Sequence, residues 1–257
     1  MPEEYQYSVP LTPLHEVETS PIPGLVPKSA PLDPLTLFET LPADSLLFGF
    51  ASDGLPLLLN LRVPQPGPVL IIGDQGCGKT AFLKKLVLST QRLMPPGEIQ
   101  FVVLTDFPDE WARVSAPEHL LGIWPVSEPV ASDLLYQLDY RVEKPHENQP
   151  TVLLFDGLDA IHAMENVAQD HLANLLIRGP YNLIWPVVTV NAEQALELPY
   201  WLSLFQTRIF GRIADPGVAQ QLISMPGAPI GSLSSNLQFC LRENSHWLKF
   251  WLPSLTE

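Results

Sequence analysis

Hydrophobic positions along the chain fall into short continuous runs that alternate with segments of helical spacing. Val69 to Ile72 is an unbroken apolar run closed by Gly73, the pattern of a strand buried on both faces of a sheet. Thr80 to Arg92 follows helical spacing, with Phe82, Leu83, Leu86 and Val87 on one face, and Pro95-Pro96-Gly97 stops it. Further strands are predicted at Gln100 to Leu104, Thr151 to Phe155, Leu183 to Val190 and Thr207 to Gly211. Helices are predicted at Ser132 to Val142, Glu165 to Ile177, Tyr200 to Phe205 and Gly217 to Ile223. This alternation predicts an α/β chain with a parallel sheet and right-handed crossovers. Two hairpins bracket it. Leu46 to Phe50 and Leu57 to Leu61 turn at Asp53-Gly54, and Leu237 to Leu241 pairs with Trp247 to Trp251.

Composition separates an arm from this body. Residues 1–44 hold nine prolines, seven acids and a single lysine, so no long helix is sustained there. Leu25, Val26, Leu35 and Phe38 among the prolines fit an extended arm lying on the body of residues 45–257, and a mobile acidic tail fits the composition equally well. The whole chain of 257 residues carries a net charge of -14, so bulk attraction of the isolated chain to nucleic acid or an anionic membrane is not expected, while local basic patches stay open. DNA is then reachable only through an assembly or a partner that supplies a basic surface; Lys84, Lys85 and Arg92 form the clearest basic cluster and read as a solvated face. No apolar run approaches the ~18 residues of a membrane span, so no insertion is expected. Cys77 and Cys240 lie far apart without zinc spacing, which suits a reducing, cytoplasmic setting.

Gly73-Asp74-Gln75-Gly76-Cys77-Gly78-Lys79-Thr80 matches G-x-x-x-x-G-K-[ST] between a predicted strand and a predicted helix, the context the motif requires. Its backbone amides would cradle phosphate, Lys79 would reach the β- and γ-phosphates of ATP, and the Thr80 hydroxyl would ligate Mg2+. The fold expected is therefore a P-loop NTPase with a central, mostly parallel sheet flanked by helices, plus N-terminal and C-terminal β-hairpins. Cys77 lies where amide dipoles and Lys79 would lower a thiol pKa and allow a redox switch; a small residue filling a free position is the simpler reading.

Thr151-Val152-Leu153-Leu154-Phe155-Asp156 has the form of a Walker B strand, and Asp156 would hold the metal. The next position, where many P-loop ATPases carry the glutamate that polarises water, is Gly157. Either turnover is weak or another acid serves, Asp159 or Asp106 being the two at hand. Glutamate introduced at Gly157 is expected to raise hydrolysis if the backbone there accepts a side chain. Asn191, ending the Leu183 to Val190 strand, would sit between the loop and Asp156, near the γ-phosphate or the water. Arg208 would reach a neighbouring subunit's phosphate, and a structural ion pair is the equal alternative. Trp201, Trp247 and Trp251 read as core or interface anchors.

From Leu46 to Pro253 the order of these motifs resembles the FtsK/HerA group of additional-strand P-loop ATPases, hexameric DNA pumps. Thr189-Val190-Asn191 stands where that group has Ala-Thr-Gln, and Thr207-Arg208-Ile209-Phe210 resembles its Thr-Arg-Ile-x-Phe. The resemblance implies an ATPase that assembles as a homo-oligomer, in a ring if it extends that far. The string Asp156-Gly157-Leu158-Asp159 also looks like the Asp-Gly-Leu-Asp of NACHT and related signalling ATPases, in which nucleotide exchange toggles assembly. That second likeness implies a nucleotide-stabilised scaffold or switch.

Overall fold

The computed structural model describes residues 42, 44–95, 97–114, 118–143, 149–223, 227–243 and 246–253. The proline-rich arm lies outside the described residues except for Pro42 and Asp44. Ten strands form one sheet in the order β2-β1-β10-β9-β8-β3-β7-β6-β4-β5. They are β1 (Ser45–Ala51), β2 (Pro56–Asn60), β3 (Val69–Gly73), β4 (Gln100–Thr105), β5 (Leu120–Trp124), β6 (Thr151–Asp156), β7 (Ile184–Asn191), β8 (Thr207–Phe210), β9 (Gln238–Glu243) and β10 (His246–Trp251). The strands from β8 to β5 run parallel, and β9, β10, β1 and β2 continue the sheet antiparallel. The two hairpins expected from sequence are present, and they pair with each other: Phe50 lies opposite Trp251.

Alternate residues of the central strands feed two cores, because successive side chains point to opposite faces of a sheet. On one face Leu70, Ile72, Leu153, Phe155, Val188 and Val190 pack with α2 (Pro129–Glu143) and α3 (Asn166–Arg178). On the other, Val69, Ile71, Val152, Leu154 and Val187 pack against α1 (Lys79–Leu93). Phe82 of α1 is fully buried and meets Phe48, Phe239 and Phe250 edge to face, so it pins the helix to the antiparallel half. Its truncation to alanine would cost about 3–5 kcal/mol. Three short helices, α4 (Ala192–Ala195), α5 (Pro199–Ser203) and α6 (Pro216–Leu222), follow β7 and β8. Trp201 is buried in the α2/α3 core, and Trp247 packs edge to face on Phe210.

Candidate functional site

Register decides which side chains meet at the carboxyl edge of the parallel strands. Gly73 lies opposite Asn191, and Asp156 lies between Thr189 and Thr105. The loop after β3, the acid ending β6 and Asp106, one residue past β4, are thereby gathered at one edge, where α/β sheets bind ligands.

The loop from Gly73 runs directly into α1. Lys79 Nζ donates to the carbonyl oxygens of Gly73 and Asp74, each at 2.9 Å, and to Asn191 Oδ1 at 2.8 Å. Burial pulls the ammonium pKa below its ordinary value, while Cys77, Asp156, Asp159 and Asp74 push it back up. Asp156 is held from three sides. Its Oδ1 accepts from Thr189 Oγ1 at 2.8 Å and Thr80 Oγ1 at 3.2 Å, and its Oδ2 from the Trp111 indole N–H at 3.4 Å. Thr189 Oγ1 also accepts the Gly157 N–H at 2.9 Å. Sequence reasoning gave no role to Thr189 or Trp111. Thr189 stands beside a residue already singled out, whereas Trp111 reaches Asp156 from a short turn after β4 that no local spacing marks.

Asp159 lies beside Gly157, within ordinary contact of where a side chain at position 157 would begin. Gly157 adopts φ 107°, and a β-carbon built on it would lie 3.8 Å from Asp159 Oδ1. That oxygen is buried and has no hydrogen-bond partner among the described residues. Burial raises the Asp106 pKa, and the charge of Asp159 raises it further, so the two acids are neighbours. Lys79, Thr80, Asp156, Asp159, Asp106 and Asn191 therefore belong to one cluster.

Arg208 is not brought into it. It pairs with Leu70, well short of Gly73, and its Nη2 donates to the Leu202 carbonyl at 2.7 Å, with burial lowering its pKa. The basic helix face is also engaged: Lys85 Nζ donates to the Pro253 carbonyl at 2.7 Å, and Lys84 bonds the Glu110 carbonyl and sits over the Trp111 ring.

The opposite flank of the loop is fastened to the strands leading to the antiparallel half. The Asp74 N–H donates to the Arg212 carbonyl at 2.9 Å, and Asp74 Oδ2 accepts the Ala214 N–H at 2.7 Å. The Asn236 N–H donates to the Cys77 carbonyl at 2.8 Å. Gln75 and Gly76 are left exposed at the tip. Cys77 Sγ is wedged between Gly73 and Gly211, where an added β-carbon would come within 2.6 and 2.7 Å of it. The expected lowering of this thiol pKa is reversed: burial outweighs Lys79 and raises it. Cys77 is a packing residue.

A metal at Thr80 and Asp156 would meet oxygen donors only, which suits a hard divalent cation held by one carboxylate, one hydroxyl and phosphate. No set of three or more His, Cys, Asp or Glu among the described residues would hold a metal by itself. The residues present therefore fit Mg2+ bound together with a nucleotide.

The NACHT domain profile matches residues 67–209, more than half of the chain, from just before the loop to the middle of β8. The chain belongs to the NACHT domain family. It is thus a P-loop NTPase domain, and the family's match takes in Lys79, Asp156, Asp159 and Asn191. No curated protein matches this NACHT domain in sequence. Solved structures of FtsK/HerA-type ATPases share its fold. The cytoplasmic domain of the Thermomonospora curvata Type VII secretion ATPase EccC superposes with a TM-score of 0.63 at 16% identity, over 86% of this chain and 28% of that one. EssC (ATPases 2 and 3) from Geobacillus thermodenitrificans gives 0.64 at 14% identity, over 84% and 46%. The pCW3 conjugation coupling protein TcpA, in monomer form with ATPγS, gives 0.62 at 12% identity, over 81% and 65%. This NACHT domain spans less than half the length of the EccC and EssC chains it matches. No helix among its described residues is long and apolar enough to cross a membrane.

Proposed function

We propose that the chain binds ATP with Mg2+ and hydrolyses it slowly, with Asp159 taking the place of the acid that Gly157 does not carry. The observation that supports this reading is the buried, unpartnered Asp159 Oδ1 lying beside Gly157 and near Lys79. The amides of Gly73 to Thr80 and the Lys79 ammonium would hold the β- and γ-phosphates, and Thr80 and Asp156 the metal. Mg2+, when bound, neutralises charge on the phosphate oxygens and orients them. Asn191, now on Lys79, would lie near the terminal phosphate. Asp159 would accept the proton of the attacking water, and Asp106, with its raised pKa, would share that proton.

Lys79 is the one cation that the described cluster offers to the phosphates. Arg208 would have to leave the Leu202 carbonyl to serve a neighbouring subunit, so efficient turnover relies on a homo-oligomer or another partner. With a charge of -14, DNA would be engaged only through such an assembly, ring-shaped or otherwise, in the cytoplasm. A second reading, a nucleotide-stabilised scaffold or switch without useful turnover, draws support from the three acceptors of Lys79. Nucleotide entry has to replace them, which ties the state of the loop to β7.

Phosphate release measured with Asp159→Asn tests the proposal. The variant should bind ATP-Mg as the wild type does and hydrolyse it about 100-fold more slowly. A wild-type rate unaffected by both Asp159→Asn and Asp106→Asn would refute the assignment, and an undetectable wild-type rate would favour the switch.

A further inference from the structure

The turn after β4 carries a tryptophan back onto the α1 side of the sheet. The Phe107 N–H donates to Thr105 Oγ1 at 3.1 Å, Pro108 opens a single helical turn over Pro108–Trp111, and the Val114 N–H closes on the Trp111 carbonyl at 2.9 Å. Trp111 is thereby fully buried in the core that α1 covers. A buried indole N–H needs an acceptor, and this one meets Asp156 Oδ2 at 3.4 Å, an oxygen with no other donor among the described residues. Lys84 stands over the ring, its Nζ 5.8 Å from the centroid and bonded to the carbonyl of Glu110 in the same turn. It follows Thr80 by four residues and shares its face of α1. One helix face therefore engages both oxygens of Asp156: Thr80 meets Oδ1 directly at 3.2 Å, and Lys84 reaches Oδ2 through the indole.

We propose, resting on the ATP-Mg2+ reading above, that Trp111 and Lys84 are positioning residues for the metal site, Trp111 by fixing the plane of the Asp156 carboxylate and Lys84 by strengthening the Trp111 donor. The terminal torsion of an aspartate is broad, so Thr189 and Thr80 on Oδ1 leave the carboxylate free to turn, and a donor on Oδ2 stops it. A cation over the face of an indole draws on its π electrons, which makes the N–H at the ring edge a better donor to a carboxylate. The partner of Lys84 in the turn is a carbonyl, which leaves the full positive charge to act on the ring. The gain from Mg2+ beside a nucleotide then depends on a lysine that touches neither. Affinity for the nucleotide alone, set by the loop amides and Lys79, does not.

Calorimetry of the full chain with a nonhydrolysable ATP analogue, once in Mg2+ and once in chelator, tests this, and the ratio of the two affinities is the readout. Lys84→Met, at a half-buried helix position, should lower the ratio about threefold, the scale of a cation over an aromatic ring. Lys84→Arg keeps a cation there and should restore it. Trp111→Phe keeps an aromatic face without the N–H and should lower the ratio about tenfold. Lys84→Met added to Trp111→Phe should lower it no further, because the lysine then has no donor to strengthen. Affinities in chelator should agree within about twofold across the set, which also shows that the variants are folded. A ratio unchanged by Lys84→Met, or a further fall when it is added to Trp111→Phe, overturns the coupling. A chelator affinity that falls in step with the Mg2+ affinity overturns it too, since the pair would then only support the fold of the loop. A wild-type chain that binds the analogue but gains nothing from Mg2+ would instead sink the metal reading on which the inference rests.

Discussion

Lys79 Nζ rests 2.8 Å from Asn191 Oδ1, so the strand-end amide occupies one of the three directions in which the ammonium can donate. A bound phosphate has to compete for the same proton. Lys79→Ala should weaken ATP-Mg binding by at least about tenfold, the scale of one hydrogen bond to a charged group. Asn191→Asp should also weaken it, because a carboxylate holds the ammonium more tightly and repels phosphate. Calorimetry on the three proteins decides the matter, and equal affinities would refute it.

Gly157→Glu should not rescue hydrolysis. At φ 107° a side chain is strained, at a cost of about 1–3 kcal/mol, and a second carboxylate would be brought beside that of Asp159, whose Oδ1 lies 3.8 Å from the position of an added β-carbon. The activation expected from the sequence is thereby reversed into a loss of stability. Thermal unfolding should show a lower Tm with no gain in phosphate release. A variant as stable as the wild type and faster than it would contradict the conformation of this turn.

Asp106 should make the protein less stable as pH rises. Its pKa is raised in the folded state by burial first and then by Asp159, so the folded chain holds this proton more firmly than the unfolded one. Stability is therefore lost as pH climbs from the ordinary aspartate value of about 3.9 through the raised folded value, and the penalty is complete above that. Asp106→Asn should raise Tm at neutral pH and lose its advantage below the ordinary aspartate value. An advantage that does not change with pH would point to packing instead.

Neither thiol should react in the folded protein. Cys77 and Cys240 are both buried, and burial pushes the Cys240 thiol up to about 12 and raises that of Cys77. A disulfide reagent at pH 8 should label both only as the chain unfolds. Gly211→Ala should lower Tm, since its β-carbon would press on Cys77 Sγ at 2.7 Å and on Phe239 at 3.1 Å. Adding Cys77→Ala should recover part of that loss.

Parallel strands were legible because burial on both faces leaves continuous apolar runs such as Val69 to Ile72 and Val152 to Phe155. β5 was not: Gly122 interrupts its pattern, and the ring of Trp124 folds over that glycine so closely that a β-carbon would meet it at 2.5 Å. The four residues of α4 are too few to show a period. In the site, the loop and Asp156 were readable because adjacent residues carry each signal. The placing of Asp159 depends on the backbone angle of Gly157, and that of Trp111 on a contact across 45 positions. The surroundings of Arg208 were not legible either, because register, which sets it opposite Leu70, is a property of the paired strands.

β10 is made late and lies between β1 and β9, so the opening hairpin has no seat in the sheet until residues 246–251 have left the ribosome. The nascent chain must hold Leu46, Phe48 and Leu59 in waiting for nearly two hundred residues, and that loop closure sets a slow, late step in synthesis. A stall anywhere before Trp251 would leave an apolar hairpin without its neighbour and exposed to chaperones and proteases.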